Sequence, residues 1–234
     1  KIDLSNTTID PIRLSKILCN LKKQNINNVI MEASSHGLDQ NRLDGLFFST
    51  GIFTNLSQDH LDYHKNIKDY LKAKLYLFNH LIAKNGNVIT DEKIPEFKKI
   101  KKITINKNLN LCLLNDKKND FKFLSHNFDG EGQLLKIKHN NLIYNVKLNL
   151  IGKIQLKNIL MAVIAAKKSN IEIKKILKVI PKIKSVEGRF ERIGMIKNRS
   201  KVILDYAHTP DALKTCLKNL KEQFLNHRIN IVFG

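Results

Sequence analysis

Short apolar runs alternate along this chain with stretches whose apolar residues recur every three or four positions, and this alternation limits the possible folds more than any other feature. A helix expected near 11–24, opened by Pro11, precedes a strand expected at Asn28-Val29-Ile30-Met31. A second short strand, Gly51-Ile52-Phe53-Thr54, leads through a polar loop into a helix from about Ile67 to Ala83, after which Asn85-Gly86 turns into Asn87-Val88-Ile89-Thr90. That order begins an α/β pattern. The stretch 95–150 reads differently, because segments such as Lys102-Ile103-Thr104-Ile105 and Leu142 to Leu148 alternate as antiparallel strands do, with Asp129-Gly130-Glu131-Gly132 as a turn. Two helices follow near 154–169 and 171–180, and Pro181 with Glu187-Gly188 marks a domain boundary. Beyond it, strand Lys201 to Asp205, a helix opened by Thr209-Pro210-Asp211 and strand Ile229 to Phe233 read as a βαβ unit.

The chain has 234 residues with an apolar fraction of 42%, so it is long enough to bury a core, and its apolar runs are too short for a membrane helix. The formal charge of +20 suggests a polyanionic partner at first sight. However, only six of the 41 basic residues are arginine, the residue favoured for planar contacts to phosphates and bases. The lysines are also spread along the whole chain beside abundant asparagine and isoleucine, so a solvated lysine-rich surface is favoured over a nucleic-acid site. Cys19, Cys112 and Cys216 form neither a zinc knuckle nor a disulfide framework, which fits a reducing cytoplasm, and an opening Lys1 rather than Met hints at a fragment.

Ionisable side chains gather at the ends of two expected strands, where open α/β sheets bind ligands. Thr54-Asn55-Leu56-Ser57-Gln58-Asp59-His60-Leu61-Asp62-Tyr63-His64 packs two carboxylates and two imidazoles just past one strand, although Ser57 and Asp59 would equally serve to cap the next helix. Met31-Glu32-Ala33-Ser34-Ser35-His36-Gly37 places a carboxylate, two hydroxyls, an imidazole and a glycine just past another. One carboxylate and one imidazole from adjacent strands would suit a divalent cation, yet Mg²⁺ prefers oxygen ligands, so a ligand such as His60 is atypical on these grounds.

Laid out at helical spacing, Ile67, Tyr70, Leu71, Leu75, Phe78, Leu81 and Ile82 form one stripe, and Lys74 falls inside it while Lys72 points outward. A lysine on a buried face must be paired, neutralised or led out to water along its own stem. A neutral amine has one further option, carbamylation by CO₂, which turns a cation into an anion. The ten glycines never form Gly-x-x-x-x-Gly-Lys-[Ser/Thr], so the chain has no phosphate loop of its own.

Three ordered motifs, Met-Glu-Ala-Ser-Ser-His-Gly-Leu at 31–38, Phe-Thr-Asn-Leu-Ser-Gln-Asp-His-Leu-Asp-Tyr-His at 53–64 and Asp-Tyr-Ala-His-Thr-Pro-Asp-Ala-Leu at 205–213, resemble the Mur ligases. Within that family they look most like the branch that adds the third residue of the peptidoglycan stem peptide. The resemblance implies an α/β central ATPase domain over 1–185, with a mostly parallel sheet flanked by helices and a smaller β layer. It also implies the start of a Rossmann-like C-terminal domain over 186–234. The implied reaction uses ATP as co-substrate and Mg²⁺: the carboxylate of UDP-N-acetylmuramoyl-L-alanyl-D-glutamate takes the γ-phosphoryl group and releases ADP. The amine of a diamino acid, meso-diaminopimelate or L-lysine, then displaces phosphate from the acyl phosphate.

Carried over by position, Glu32 and His60 look like Mg²⁺ ligands and Lys74 looks like the family's carbamylated lysine, giving Glu32, His60 and Lys74 catalytic roles. Asn6, Thr7, Thr8, Ser34, Gln40 and Arg42 resemble contacts to the UDP-muramoyl dipeptide. Asn158, Arg189, Asp205 and His208 resemble residues that approach ATP, although Asn158 would also serve as a helix cap, Arg189 as a surface charge and Asp205 as a strand end. No nucleic acid and no membrane is expected as a partner. The family's phosphate loop is expected upstream of Asn6 and its amino-acid-reading segment past Gly234, so the piece alone is expected to be inactive.

Overall fold

The computed structural model describes residues 7–57, 59–116, 121–130 and 132–232. The chain forms two compact units, Lys1–Val88 with Lys93–Leu111, and Ile89–Glu92 with Cys112–Gly234.

The first unit opens with α1 (Pro11–Lys23), whose N-cap Asp10 accepts the Arg13 N–H at 2.9 Å and whose Pro11 sits where no intrahelical donor is needed. The short helix α2 (Ser35–Asp39) follows, capped by Ser34, and then strand β1 (Phe48–Phe53). Helix α3 (Ile67–Tyr76) is capped by Asn66, whose side chain accepts from the amides of Lys68 and Asp69, so neither Ser57 nor Asp59 performs that task. A π-helical turn, Leu77–Leu81, delivers the chain into β2 (Ile82–Thr90), and α4 (Phe97–Asn106) leads to β3 (Asn110–Leu113). The strands lie in the order β1-β2-β3, and the helical connections between them give a parallel sheet flanked by helices.

Two apolar clusters hold this unit together. Phe53, Leu71, Leu75, Phe78, Ile82, Val88 and Ile100 pack between the sheet and its helices, and Ile9, Leu14, Leu38, Leu43 and Leu81 pack around α1 and α2. Each such side chain contributes about 1.5–3 kcal/mol on burial. The stripe expected on a helix from Ile67 to Ala83 is buried apart from Ile67. However, Phe78 and Leu81 lie on the π-helical turn and Ile82 opens β2, so the helix ends earlier and Asn85-Gly86 lie within a strand instead of a turn.

Two expected strands of this region take another form. Residues 28–31 run without a ladder and Ile30 is fully exposed, because no strand among the described residues pairs with them. Residues 102–105 belong to α4: Ile100 and Thr104 are buried four positions apart with Ile103 beside them, and helical period overrides the local alternation.

The second unit carries the antiparallel sheet β4 (Phe121–Asp129), β5 (Gly132–His139) and β6 (Leu142–Leu148), with β4 paired to β5 from Phe121↔His139 to Asp129↔Gly132. Its inward residues Phe121, Leu135, Ile137, Val146 and Leu148 pack with Leu156, Leu160, Val163 and Ile164 of α5 (Lys153–Lys168) and with Ile173 and Leu177 of α6 (Ile173–Val179). Beyond α6, β7 (Glu191–Ile196) and β8 (Ser200–Leu204) form an antiparallel pair, and α7 (Pro210–Gln223) begins at the N-cap Thr209. The expected βαβ unit is thus not closed: β8 pairs back to β7, and 229–232 has no ladder, with Val232 98% exposed.

Helix α5 starts without a side-chain cap of its own, since its N-cap is Gly152 at φ 87°. The cap comes instead from α7, where Asn219 Oδ1 accepts the Ile154 N–H at 3.1 Å and Gln223 Oε1 accepts the Gly152 N–H at 2.7 Å. Replacing the buried Gln223 strands that amide, so Gln223→Ala should lower the unfolding free energy in urea by about 1–3 kcal/mol. An unchanged transition would show that α7 does not secure the start of α5.

Candidate functional site

The first unit gathers the residues that follow strand-like segments around one buried threonine. Thr8, 1% exposed, donates its hydroxyl to the Glu32 carbonyl at 3.0 Å and accepts the Ser34 N–H at 2.9 Å. Its own carbonyl accepts from the Arg42 guanidinium at 2.7 Å. Gly37 is required beside it, because a Cβ there would lie 2.6 Å from the Thr8 side chain. Ser34 accepts the Gly37 N–H at 3.1 Å and so caps α2. The Arg42 fork donates to Gln40 Oε1 at 2.9 and 2.5 Å, Gln40 Nε2 donates to the Tyr63 hydroxyl at 3.1 Å, and that hydroxyl donates to Asp39 at 3.0 Å. The structure therefore brings Thr8, Ser34, Gln40 and Arg42 into one hydrogen-bonded group. Thr7 is exposed at its edge, and Asn6 lies outside the described residues.

Lys74 is half-buried on α3, as its place in the stripe requires. Its ammonium donates to the Asn55 carbonyl at 2.9 Å and stands 5.2 and 5.3 Å from the centres of the Phe53 and Tyr70 rings. Burial pushes the Lys74 pKa down, against opposing pulls from the carboxylates of Glu96 and Glu32. Some fraction of the amine is thereby made easier to deprotonate, which is the state carbamylation needs.

His60 is joined to Lys74 through Tyr70, whose ring meets the His60 ring edge-on at 5.7 Å. The His60 backbone is left-handed, φ 56°, a conformation that costs a residue with a Cβ about 1–2 kcal/mol. Asp59 Oδ1 accepts its N–H at 2.8 Å, and its carbonyl accepts from the amides of Tyr63 and His64 at 3.3 and 2.9 Å. Glu32 is exposed and reaches this neighbourhood through its electrostatic effect on Lys74.

Among the described residues no three of His, Cys, Asp and Glu stand close enough to form a metal cage. Of the two expected ligands, Glu32 offers the carboxylate oxygen that Mg²⁺ prefers, while an imidazole such as His60 stays atypical for that ion. A carbamate on Lys74 would add oxygens that the free amine lacks.

Sequence reasoning missed the buried partner of this cluster. His64, 4% exposed, has its Nε2 3.0 Å from the Ser35 hydroxyl and stacks on Tyr70 at 5.0 Å. Burial lowers its pKa from 6.5, the nearby His36 and His60 push the same way, and Asp39 and Asp69 oppose. The signals were present, since His64 lies in the ionisable run and Tyr70 in the stripe, but a pairing 29 residues apart has no local signature.

In the second unit, Asp205 follows β8 and accepts the amides of Phe190 and Ala207 at 2.9 and 3.0 Å. Tyr206 donates its N–H to the Gly188 carbonyl at 2.8 Å, the Arg189 guanidinium lies 4.9 Å from the Tyr206 ring, and His208 Nδ1 lies 2.9 Å from the Tyr206 carbonyl. Arg189, Asp205 and His208 are thus brought together around Tyr206. Burial and the Asp205 carboxylate push the Cys216 thiol up to about 11. Asn158 lies inside α5, where its Nδ2 donates to Gln155 Oε1 at 3.4 Å, so it is not that helix's cap. Its neighbour Lys157 pairs with the buried Asp91 at 2.6 Å.

Known proteins with matching sequence agree on the family. Residues 3–166 match the Mur ligase middle domain and residues 188–234 the Mur ligase glutamate ligase domain. A UDP-N-acetylmuramoyl-L-alanyl-D-glutamate--2,6-diaminopimelate ligase of Rickettsia montanensis is 38% identical over 230 residues, covering 97% of this chain and 47% of that protein. A solved structure of a ligase with the same name matches 93% of this chain and 45% of its own, with a TM-score of 0.74 and 28% identity. The fold alone is shared with the MurF ligase from Thermotoga maritima in complex with ADP, at a TM-score of 0.59 and 17% identity over 74% of this chain and 39% of that one.

Two outcomes follow from this packing. Gly37→Ala forces Thr8 aside and should destabilise the chain by about 1–3 kcal/mol in denaturant titration, whereas an unchanged transition would mean that Thr8 is not held against α2. Because His64 binds its proton more weakly folded than unfolded, its contribution to stability is complete above 6.5 and is lost as pH falls through its lower folded value. The melting temperature should therefore drop between about pH 7 and about pH 5, and drop less in His64→Phe. Equal drops in the two proteins would contradict this assignment.

Proposed function

The chain belongs to the Mur ligase family, and on that premise we propose that it is part of an ATP-dependent ligase joining 2,6-diaminopimelate to UDP-N-acetylmuramoyl-L-alanyl-D-glutamate in peptidoglycan synthesis. The chain spans about half the length of the curated relatives it matches, 47% in the first case. The names those relatives carry favour diaminopimelate over lysine as the incoming amino acid. Residues 1–185 serve as the central domain and 186–234 as the start of the C-terminal one.

One observation carries the reading: Lys74, with its pKa lowered by burial, shares Tyr70 with His60 and feels Glu32, in the same unit that groups Thr8, Ser34, Gln40 and Arg42. Glu32 and His60 would hold Mg²⁺, with Lys74 contributing oxygens as a carbamate. Bound there, the ion would offset the negative charge of the ATP phosphates. Asn6, Thr7, Thr8, Ser34, Gln40 and Arg42 serve to hold the UDP-muramoyl dipeptide. Arg42 has a fork suited to a carboxylate or phosphate, which would exchange its present contact to Gln40. Asn158, Arg189, Asp205 and His208 serve ATP, with the exposed Arg189 and Tyr206 offering a cationic and an aromatic surface and Asp205 bracing the turn beneath them.

The substrate carboxylate attacks the γ-phosphorus and ADP leaves. The amine of the incoming amino acid then adds to the acyl carbon, loses a proton and expels phosphate. The 234 residues hold no Gly-x-x-x-x-Gly-Lys-[Ser/Thr] run.

In an intact ligase carrying this segment, Lys74→Ala should reduce turnover at least about 100-fold, with partial recovery when a small carboxylic acid is added. Unchanged turnover would contradict the role given to Lys74.

A further inference from the structure

We propose that His64 is a positioning residue whose buried hydrogen bond to Ser35 holds the His60 imidazole in its working orientation. The inference rests on the metal-binding role proposed for His60 and adds contacts of His64 and Tyr63 that the role itself does not use. His60 adopts a left-handed backbone that a residue with a Cβ does not choose unaided, and the turn that imposes it closes on the amide of His64, which donates to the His60 carbonyl at 2.9 Å. The far end of that turn is anchored by the His64 side chain, buried with its Nε2 3.0 Å from Ser35 Oγ. Ser35 opens α2 directly after the Ser34 cap, so the bond ties the His60 turn to the segment that carries Glu32 and Ser34.

The contact with Tyr70 extends the same logic to Lys74. The His64 ring stacks on Tyr70 with an interplanar angle of 17°, the His60 ring meets Tyr70 at 90°, and the Lys74 ammonium lies 5.3 Å from the same ring. One aromatic ring thus touches both proposed ligand side chains and the buried imidazole. Tyr63, on the turn itself, is tied in addition to Asp39 and Gln40, so the turn is held at two points on α2 and its C-cap. A ligand held by its neighbours in this way loses affinity for metal when they are altered, although the neighbour never touches the ion.

The test uses the 234-residue chain with isotopically labelled histidine, read by imidazole NMR with Mn²⁺ as a paramagnetic probe. His64→Phe retains a ring to stack on Tyr70 but removes the hydrogen bond, Ser35→Ala removes the same bond from the other side, and His64→Gln retains a donor. In His64→Phe and Ser35→Ala the His60 ring resonances should move toward those of free histidine. The Mn²⁺ concentration that half-broadens them should rise about 10-fold or more, with His64→Gln recovering part of both effects. If either bond-removing variant melts earlier while the His60 resonances and their Mn²⁺ response stay as in the parent, His64 is only a packing residue and the proposal is overturned. If Mn²⁺ leaves His60 untouched in the parent chain, the ring shifts alone decide the positioning role, and unchanged shifts in both bond-removing variants overturn it. Should His64→Phe fail to fold, Ser35→Ala supplies the same measurement.

Discussion

Thr8 is the contact on which the first unit depends. One buried side chain bonds the backbone of Glu32 and of Ser34, its carbonyl receives Arg42, and its methyl and hydroxyl fill the space that only a glycine at position 37 leaves open. The segment between Glu32 and Gly37 is therefore fixed in place without a β-ladder of its own. Thr8, Ser34, Gln40 and Arg42, all proposed to hold substrate, are joined in that clasp directly or through one another. Polar atoms can be buried here because they are satisfied by one another, as the low exposure of Thr8, Ser35 and His64 shows.

The charge on the chain takes a different meaning once the side chains have positions. The net +20 is spread over a lysine-rich surface, whereas the cations tied into the candidate sites are few. Arg42 is held by Thr8 and Gln40, Arg189 lies over Tyr206, and Lys74 sits between two aromatic rings with its pKa lowered by burial. Placement and desolvation distinguish these groups from the rest, not abundance.

Much of the site is legible in the sequence because its signals are local. The two ionisable runs lie at chain positions that follow apolar segments, and the helical spacing of 67–83 by itself puts Lys74 on the inner face. The misses arise where the deciding contact is distant. A strand needs a partner, and neither 28–31 nor 229–232 has one among the described residues, although their composition suits a strand. The alternation at 102–105 misleads because a four-residue window cannot show that Ile100 and Thr104 share a helical face. Asn219 and Gln223 cap a helix more than 60 residues upstream, and His64 reaches Ser35 across 29, so no pattern along the chain announces either.

The central claim is that Glu32, His60 and Lys74 form one site for the metal and phosphate chemistry of a Mur ligase. Anomalous diffraction from crystals of an intact ligase carrying this segment, loaded with Mn²⁺, an ATP analogue and the UDP-muramoyl dipeptide, tests it most directly. The account predicts an anomalous peak bound by Glu32 and His60, with extra density on the Lys74 amine. A manganese peak elsewhere, with Glu32 and His60 unligated and Lys74 a bare amine, would contradict it.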